Sequence, residues 1–134
     1  MVSKEYILDA IQTKSKLLTG IDLDRSHANE IFSFNMSMPN ILLGEDGKGF
    51  VWGSVMPHHL NYNIKIGTII VSWFEHQYKG LYSMSLVKNF IKEAELVGAN
   101  IVLMDDCLCN EEVGRIYKKL GFKKLETHYY KGVK

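Results

Sequence analysis

The feature that most constrains this chain is a pair of short apolar runs, Thr68-Ile69-Ile70-Val71 and Ile101-Val102-Leu103-Met104, with a segment of helical period between them. Runs so short and so rich in branched residues suit strands buried within a sheet. Between them Val87, Ile91 and Ala94 form one apolar row, with Leu86, Phe90 and Val97 beside it. Gly80 precedes that segment and Gly98 ends it. A strand, a helix and a second strand in a unit of this length imply a parallel pair joined by a right-handed crossover. The class is therefore α/β, with helices covering a sheet.

The rest of the chain extends that sheet. Ile41-Leu42-Leu43 and Phe50-Val51-Trp52 flank Asp46-Gly47, a strong hairpin signal. A third strand follows from about Lys65 to Phe74, so three antiparallel strands are expected in sequence. Ahead of them, residues 4–18 read as a helix. Tyr6, Ile7, Ala10, Ile11, Leu17 and Leu18 fall near one face, Lys4, Glu5, Asp9, Lys14 and Lys16 fall off it, and Gly20 stops it. A second helix is expected from about Asp24 to Met36, ended by the Pro39 region, although Ile31, Phe32 and Phe34 would also suit a strand.

Toward the C-terminus the punctuation is clear. Asn110 suits an N-cap, and Glu111 and Glu112 sit where a helix dipole favours negative charge. Val113, Ile116, Tyr117 and Leu120 make a stripe, Lys118 and Lys119 fill the last turn, and Gly121 takes the position after it. A final strand is expected over about Phe122 to Tyr130. The order is ααβββαβαβ, a mixed and mostly antiparallel sheet with helices on both faces. With no linker or repeat, residues 1–134 read as a single domain.

Composition excludes several functions. Apolar residues at 46% and charged residues at 23% rule out intrinsic disorder. Sixteen basic against fifteen acidic residues leave +1, which is no footprint for nucleic acid and no basic patch for an anionic membrane. No apolar run approaches a membrane span, and Met1 to Tyr6 lacks the apolar block of a signal peptide. Cys107 and Cys109, two residues apart, are poorly placed to pair with each other, so reduced thiols and a cytoplasmic location are expected. Their spacing lacks a second ligand pair, so no metal is expected.

Two segments carry candidate chemistry. Gln77-Tyr78-Lys79-Gly80-Leu81-Tyr82 leaves an apolar strand and opens a helix. Unpaired amides at a helix N-terminus, with Lys79 beside them, form an anion site; the same residues also serve a routine strand-to-helix turn. Tyr117 lies one helical turn before Gly121-Phe122, either as packing with its hydroxyl at the rim or as a proton donor. His58-His59 is a solvated loop pair or a base near neutral pH.

Together the two segments resemble the GNAT (general N-acetyltransferase) superfamily over about residues 40–130. Asn110 to Phe122 is similar to the family pattern N-x-x-A-x-x-hydrophobic-Y-x-K-L-G-F, with Val113 at the small position. Gln77-x-x-Gly80-x-Tyr82 is similar to its [QR]-x-x-G-x-[GA] pyrophosphate loop. The ending Glu126-Thr127-His128-Tyr129-Tyr130-Lys131 also looks like compact acetyltransferase-like proteins of bacteriophages.

The resemblance implies acetyl-CoA as co-substrate, in a splay between the strand ending near Phe74 and the strand at 101–104. Gln77, Lys79, Gly80, Leu81, Tyr82 and Ser83 would serve the pyrophosphate. Edge groups of the 69–74 strand would hold the pantetheine arm, a backbone N–H near Val71 to Trp73 would stabilise the oxyanion, and Asn110 would position the helix or the cofactor. Tyr117 would be the general acid. The acceptor would be an amine on a small molecule or a protein, and dimers are common in similar proteins.

Three departures are visible. Tyr82 and Met84 stand where the family prefers small residues, no carboxylate lies near Ile69 where many members carry a base, and no strand precedes the first helix. These features also fit the alternative of a GNAT-fold interaction module without catalysis, such as a phage structural or host-binding protein.

Overall fold

In the computed structural model, residues 1–105, 111–126, 129 and 131–133 are described, with 111–113 described by their backbone alone. The hairpin at Asp46-Gly47 joins β1 (Asn40–Glu45) to β2 (Gly49–His58), paired antiparallel from Glu45↔Gly49 to Asn40↔Ser54. β3 (Asn61–Phe74) pairs antiparallel with β2 and begins four residues before the expected Lys65. After a 3₁₀ turn at His76–Tyr78, α3 (Leu81–Leu96) crosses to β4 (Ile101–Leu103), which pairs parallel with β3. The sheet order is β1-β2-β3-β4. α1 (Lys4–Thr19), α2 (Arg25–Ser37) and α4 (Glu111–Lys119) complete the described elements, in the order ααβββαβα.

Alternation along β2 divides the core between the two faces. Phe50 and Trp52 pack with Ile7 and Ala10 of α1, whereas Val51 and Val55 pack with Leu86, Val87 and Phe90 of α3. On β3 the alternation slips. Trp52 pairs with Val71 and Gly53 with Ile69, which leaves Ile70 as the extra residue of a β-bulge. Ile69 consequently packs on the α3 side, while Val71 and Trp73 pack on the α1 side.

Gly53 sits beside that bulge because a helix side chain sits on it. A Cβ there would lie 2.6 Å from the ring of Phe90 and would run into the Thr68 carbonyl. Phe90 is fully buried, so the glycine sets how closely α3 approaches the sheet at the bulge.

Three expectations are corrected. Leu17 and Leu18 are 61% and 36% exposed, while Leu8 is buried, because only the earlier turns of α1 rest on the sheet. Lys14, expected off the apolar face, is half-buried and donates from Nζ to the Ser72 carbonyl at 2.6 Å. Residues 122–126 form no strand pairing, and residues 127, 128 and 130 of the expected final strand lie outside the described residues. The second segment is a helix, capped by Asp24, whose Oδ1 accepts from the His27 amide at 3.1 Å. No helix among the described residues is long and apolar enough to cross a membrane.

Candidate active site

The bulge at Ile70 lies where the sheet opens. β3 and β4 pair only through Ile66↔Ile101, Gly67↔Val102 and Thr68↔Leu103. Beyond Thr68, β3 runs on to Phe74 while the chain leaves β4 through Met104 and Asp105. Among the described residues, the edge of β3 from Ile70 to Phe74 faces no strand.

The phase of the β2–β3 ladder decides which groups look out from that edge. The Glu75 amide donates to the Lys48 carbonyl at 2.9 Å. Antiparallel pairs alternate, so Trp73 and Val71 turn their polar backbone groups toward β2, and Ser72 and Phe74 turn theirs to the open side. The Ser72 carbonyl meets Lys14 there. Within the expected stretch from Val71 to Trp73, Ser72 is therefore the residue whose backbone groups face the open side. Trp73 points to the α1 side, where its Nε1 donates to Glu75 Oε1 at 3.1 Å.

At the other side of the opening, Gly80 takes φ 110° and ψ −119°, a conformation L side chains rarely adopt. A Cβ there would meet nothing within 4 Å, so the glycine answers a backbone need and the space above it is open. Ser83 Oγ accepts from the Gly80 amide at 2.9 Å and donates to its carbonyl at 2.8 Å. The first intrahelical bond runs from the Met84 amide to the Gly80 carbonyl at 2.9 Å. The amides of Leu81, Tyr82 and Ser83 precede it and carry the positive end of a 16-residue helix. Gln77 and Lys79 are exposed beside them.

Tyr82 does not plug the opening. Its ring packs edge-on against Tyr78 at 5.6 Å and Phe74 at 6.4 Å, on the α3-side core. Lys48 Nζ lies 5.9 Å from the ring centre. Burial raises the phenol above the usual tyrosine range.

Tyr117 stands at the end of β4. Its hydroxyl donates to the Asp105 carbonyl at 2.8 Å, and its ring tilts against Phe122 at 5.6 Å. Asn110, Cys107 and Cys109 lie outside the described residues.

The His58-His59 pair and Glu75, the carboxylate just past β3, fare differently as bases. Glu75 Oε1 accepts from the Tyr6 hydroxyl at 2.7 Å as well as from Trp73. The Tyr6 bond first, and then the Trp73 bond, hold the Glu75 carboxyl below the usual range. Burial and this carboxylate push the Tyr6 phenol well above its ordinary value. His58 and His59 stack at 4.7 Å at the far end of β3, beside Asn61. At ~3.3 Å per residue, Asn61 is roughly 30 Å from Ile70, too far for a base at the opening. His58 Nδ1 instead accepts from the Leu60 amide at 3.0 Å.

Sequence reasoning missed Lys14 and named only the stretch around Ser72. Lys14 was legible, since it continues the helical row of Ile7, Ala10 and Ile11. Which residue of the stretch from Val71 to Trp73 faces out was not, because nothing local in the sequence reports the bulge.

No protein-family model and no curated protein matches the sequence. Solved structures do. An acetyltransferase of Trypanosoma brucei aligns with TM-score 0.69 and 17% identity, over 99% of this chain and 97% of that one. The glucosamine-6-phosphate N-acetyltransferase of Arabidopsis thaliana aligns with TM-score 0.65 and 15% identity, over 95% and 88%. AAC(6′)-Iy, in complex with the bisubstrate analogue CoA-S-monomethyl-acetylneamine, aligns with TM-score 0.64 and 13% identity, over 98% and 93%. The fold is the GNAT acetyltransferase fold. At these identities the likeness concerns architecture. Nothing in it supports the bacteriophage resemblance of the C-terminal segment.

Proposed function

We propose that this GNAT-fold chain is an acetyl-CoA-dependent N-acetyltransferase that acts by direct attack of an amine on the thioester. The observation that carries the reading is the sheet opening at the Ile70 bulge, faced by the first-turn amides of α3 above an unobstructed Gly80. These groups fit the ligand chemistry: amides for a pyrophosphate, and an outward Ser72 edge for an extended amide-bearing arm. AAC(6′)-Iy, solved with a CoA-containing analogue, has the same fold and lends support.

Acetyl-CoA supplies an activated acetyl group; the chain supplies position and a proton. The amides of Leu81, Tyr82 and Ser83 would hold the phosphates, with Lys79 beside them. The Ser72 N–H would stabilise the oxyanion as the amine nitrogen bonds to the acyl carbon. As the carbon–sulfur bond breaks, Tyr117 would protonate the thiolate, and the new amide nitrogen would lose its extra proton to water. Asn110 would position α4 or the cofactor. The acceptor is an amine on a small molecule or a protein.

Because β3 carries no carboxylate and Glu75, just past it, is held by Tyr6 and Trp73, neither offers a free base at the opening, which favours a second reading as a catalytically silent GNAT-fold module. Thiol release from acetyl-CoA across a panel of amines separates the two. The enzyme reading expects release with at least one amine and a loss of roughly 10²-fold in kcat for Tyr117→Phe, with little change in the KM for acetyl-CoA. Absence of release with every amine supports the module.

A further inference from the structure

A nucleophile that the proposed mechanism leaves unused stands at the sheet opening. Lys14 continues the row of Ile7, Ala10 and Ile11 along α1, its side chain is half-buried, and its Nζ reaches the Ser72 carbonyl at 2.6 Å. In an antiparallel ladder the N–H and C=O of one residue turn to the same side. The Lys14 amine therefore stands beside the Ser72 N–H, the group set against the oxyanion in the proposed reaction.

Its bonding differs from that of other lysines. Lys16 is held by Asp22 at 2.8 Å and Lys48 by Glu45 at 3.0 Å. Lys14 has no carboxylate within ion-pair distance among the described residues. Its partner is a neutral carbonyl, the same group an amide-bearing arm would take along this edge. An arm bound there would release the amine from Ser72, with no ion pair to be given up, while the half-buried stem keeps it at the opening.

We propose that Lys14 is a site of self-acetylation, its Nζ attacking the thioester of acetyl-CoA bound in the chain's own opening. The inference rests on the acetyl-CoA reading. Lys14 first gives one proton to water, and its lone pair then forms the bond to the acyl carbon. As the carbon–sulfur bond breaks, the thiolate takes a proton from Tyr117, which water restores, and the new amide nitrogen loses its extra proton to water. The products are N-acetyl-lysine and the thiol of CoA. Nucleophile and thioester held in one molecule need no bimolecular encounter, which favours Lys14 over an exposed lysine.

The test incubates the full chain with acetyl-CoA and no added amine, and follows acetyl occupancy at Lys14 and at Lys16 by fragmentation mass spectrometry. Thermal unfolding with CoA is measured on the same preparation. Expected is labelling of Lys14 at least ~10-fold faster than Lys16, saturating with acetyl-CoA and unchanged when the protein is diluted. Excess CoA is expected to suppress labelling at Lys14 and leave that at Lys16 unchanged, because only the first needs the bound thioester. In Lys14→Arg the saturable labelling should disappear. If CoA raises Tm but Lys14 is labelled no faster than Lys16, or without saturation, or at a rate that falls on dilution, self-acetylation is overturned and the acetyl-CoA reading stands. If CoA leaves Tm unchanged and Lys14 unlabelled, both are overturned.

Discussion

One carboxylate oxygen ties three elements together. Glu75 Oε1, just past β3, accepts from Tyr6 of α1 and from Trp73. Its lowered pKa has a definite sign in stability. The contribution is present above the unfolded carboxyl pKa and is lost as pH falls through the folded one. Glu75→Gln is therefore expected to be less stable than the parent at neutral pH, with the gap narrowing as pH falls below the ordinary carboxyl range and through the lowered folded pKa. Urea unfolding at a series of pH values reads this; a gap that stays constant across the series contradicts it. On the alkaline side the raised Tyr6 phenol has the opposite sense: stability is full below the unfolded tyrosine pKa of about 10 and declines above it. Unfolding midpoints that stay level above that pH in the parent, or fall just as steeply in Tyr6→Phe, oppose this assignment.

At the scale of elements, the bulge and the α3 junction dominate. Gly53 admits the Phe90 ring beside the bulge, so Gly53→Ala overpacks a fully buried contact. A loss of about 1–3 kcal/mol is expected in denaturant unfolding, and a variant as stable as the parent would show that α3 can shift without cost. Asp24→Ala removes the cap of α2 and is expected to cost about 1 kcal/mol. Because α2 has no fully buried residue, much of that cost should appear as faster amide exchange confined to α2; exchange spread evenly over the sheet contradicts it.

The elements also show what the sequence reveals and what it hides. Helix and strand identities were readable wherever the apolar period was sustained, as along α3, or where a turn was chemically marked, as at Asp46-Gly47. The Gly80 junction was readable because a positive φ selects glycine. The bulge was not: Thr68-Ile69-Ile70-Val71 is equally apolar on both faces, so no alternation records the slipped residue. That slip moves the outward backbone groups to Ser72. The packing of Tyr82 was hidden for a related reason, since its partners Phe74 and Tyr78 are brought together by a strand end and a 3₁₀ turn.

For the whole molecule, helices on both faces of a partly opened sheet leave an edge and a helix N-terminus facing one space. The proposed function requires that a ligand span that space. A ligand that binds the native state alone stabilises it by about 2.7 kcal/mol at a hundredfold excess over Kd, enough to move a thermal midpoint by several degrees. The decisive measurement is the thermal unfolding of the full chain with increasing CoA. A saturable rise in Tm, reduced in Gly80→Val because the side chain strains the backbone that presents the first-turn amides, is the predicted result. An unchanged Tm at millimolar CoA contradicts the account.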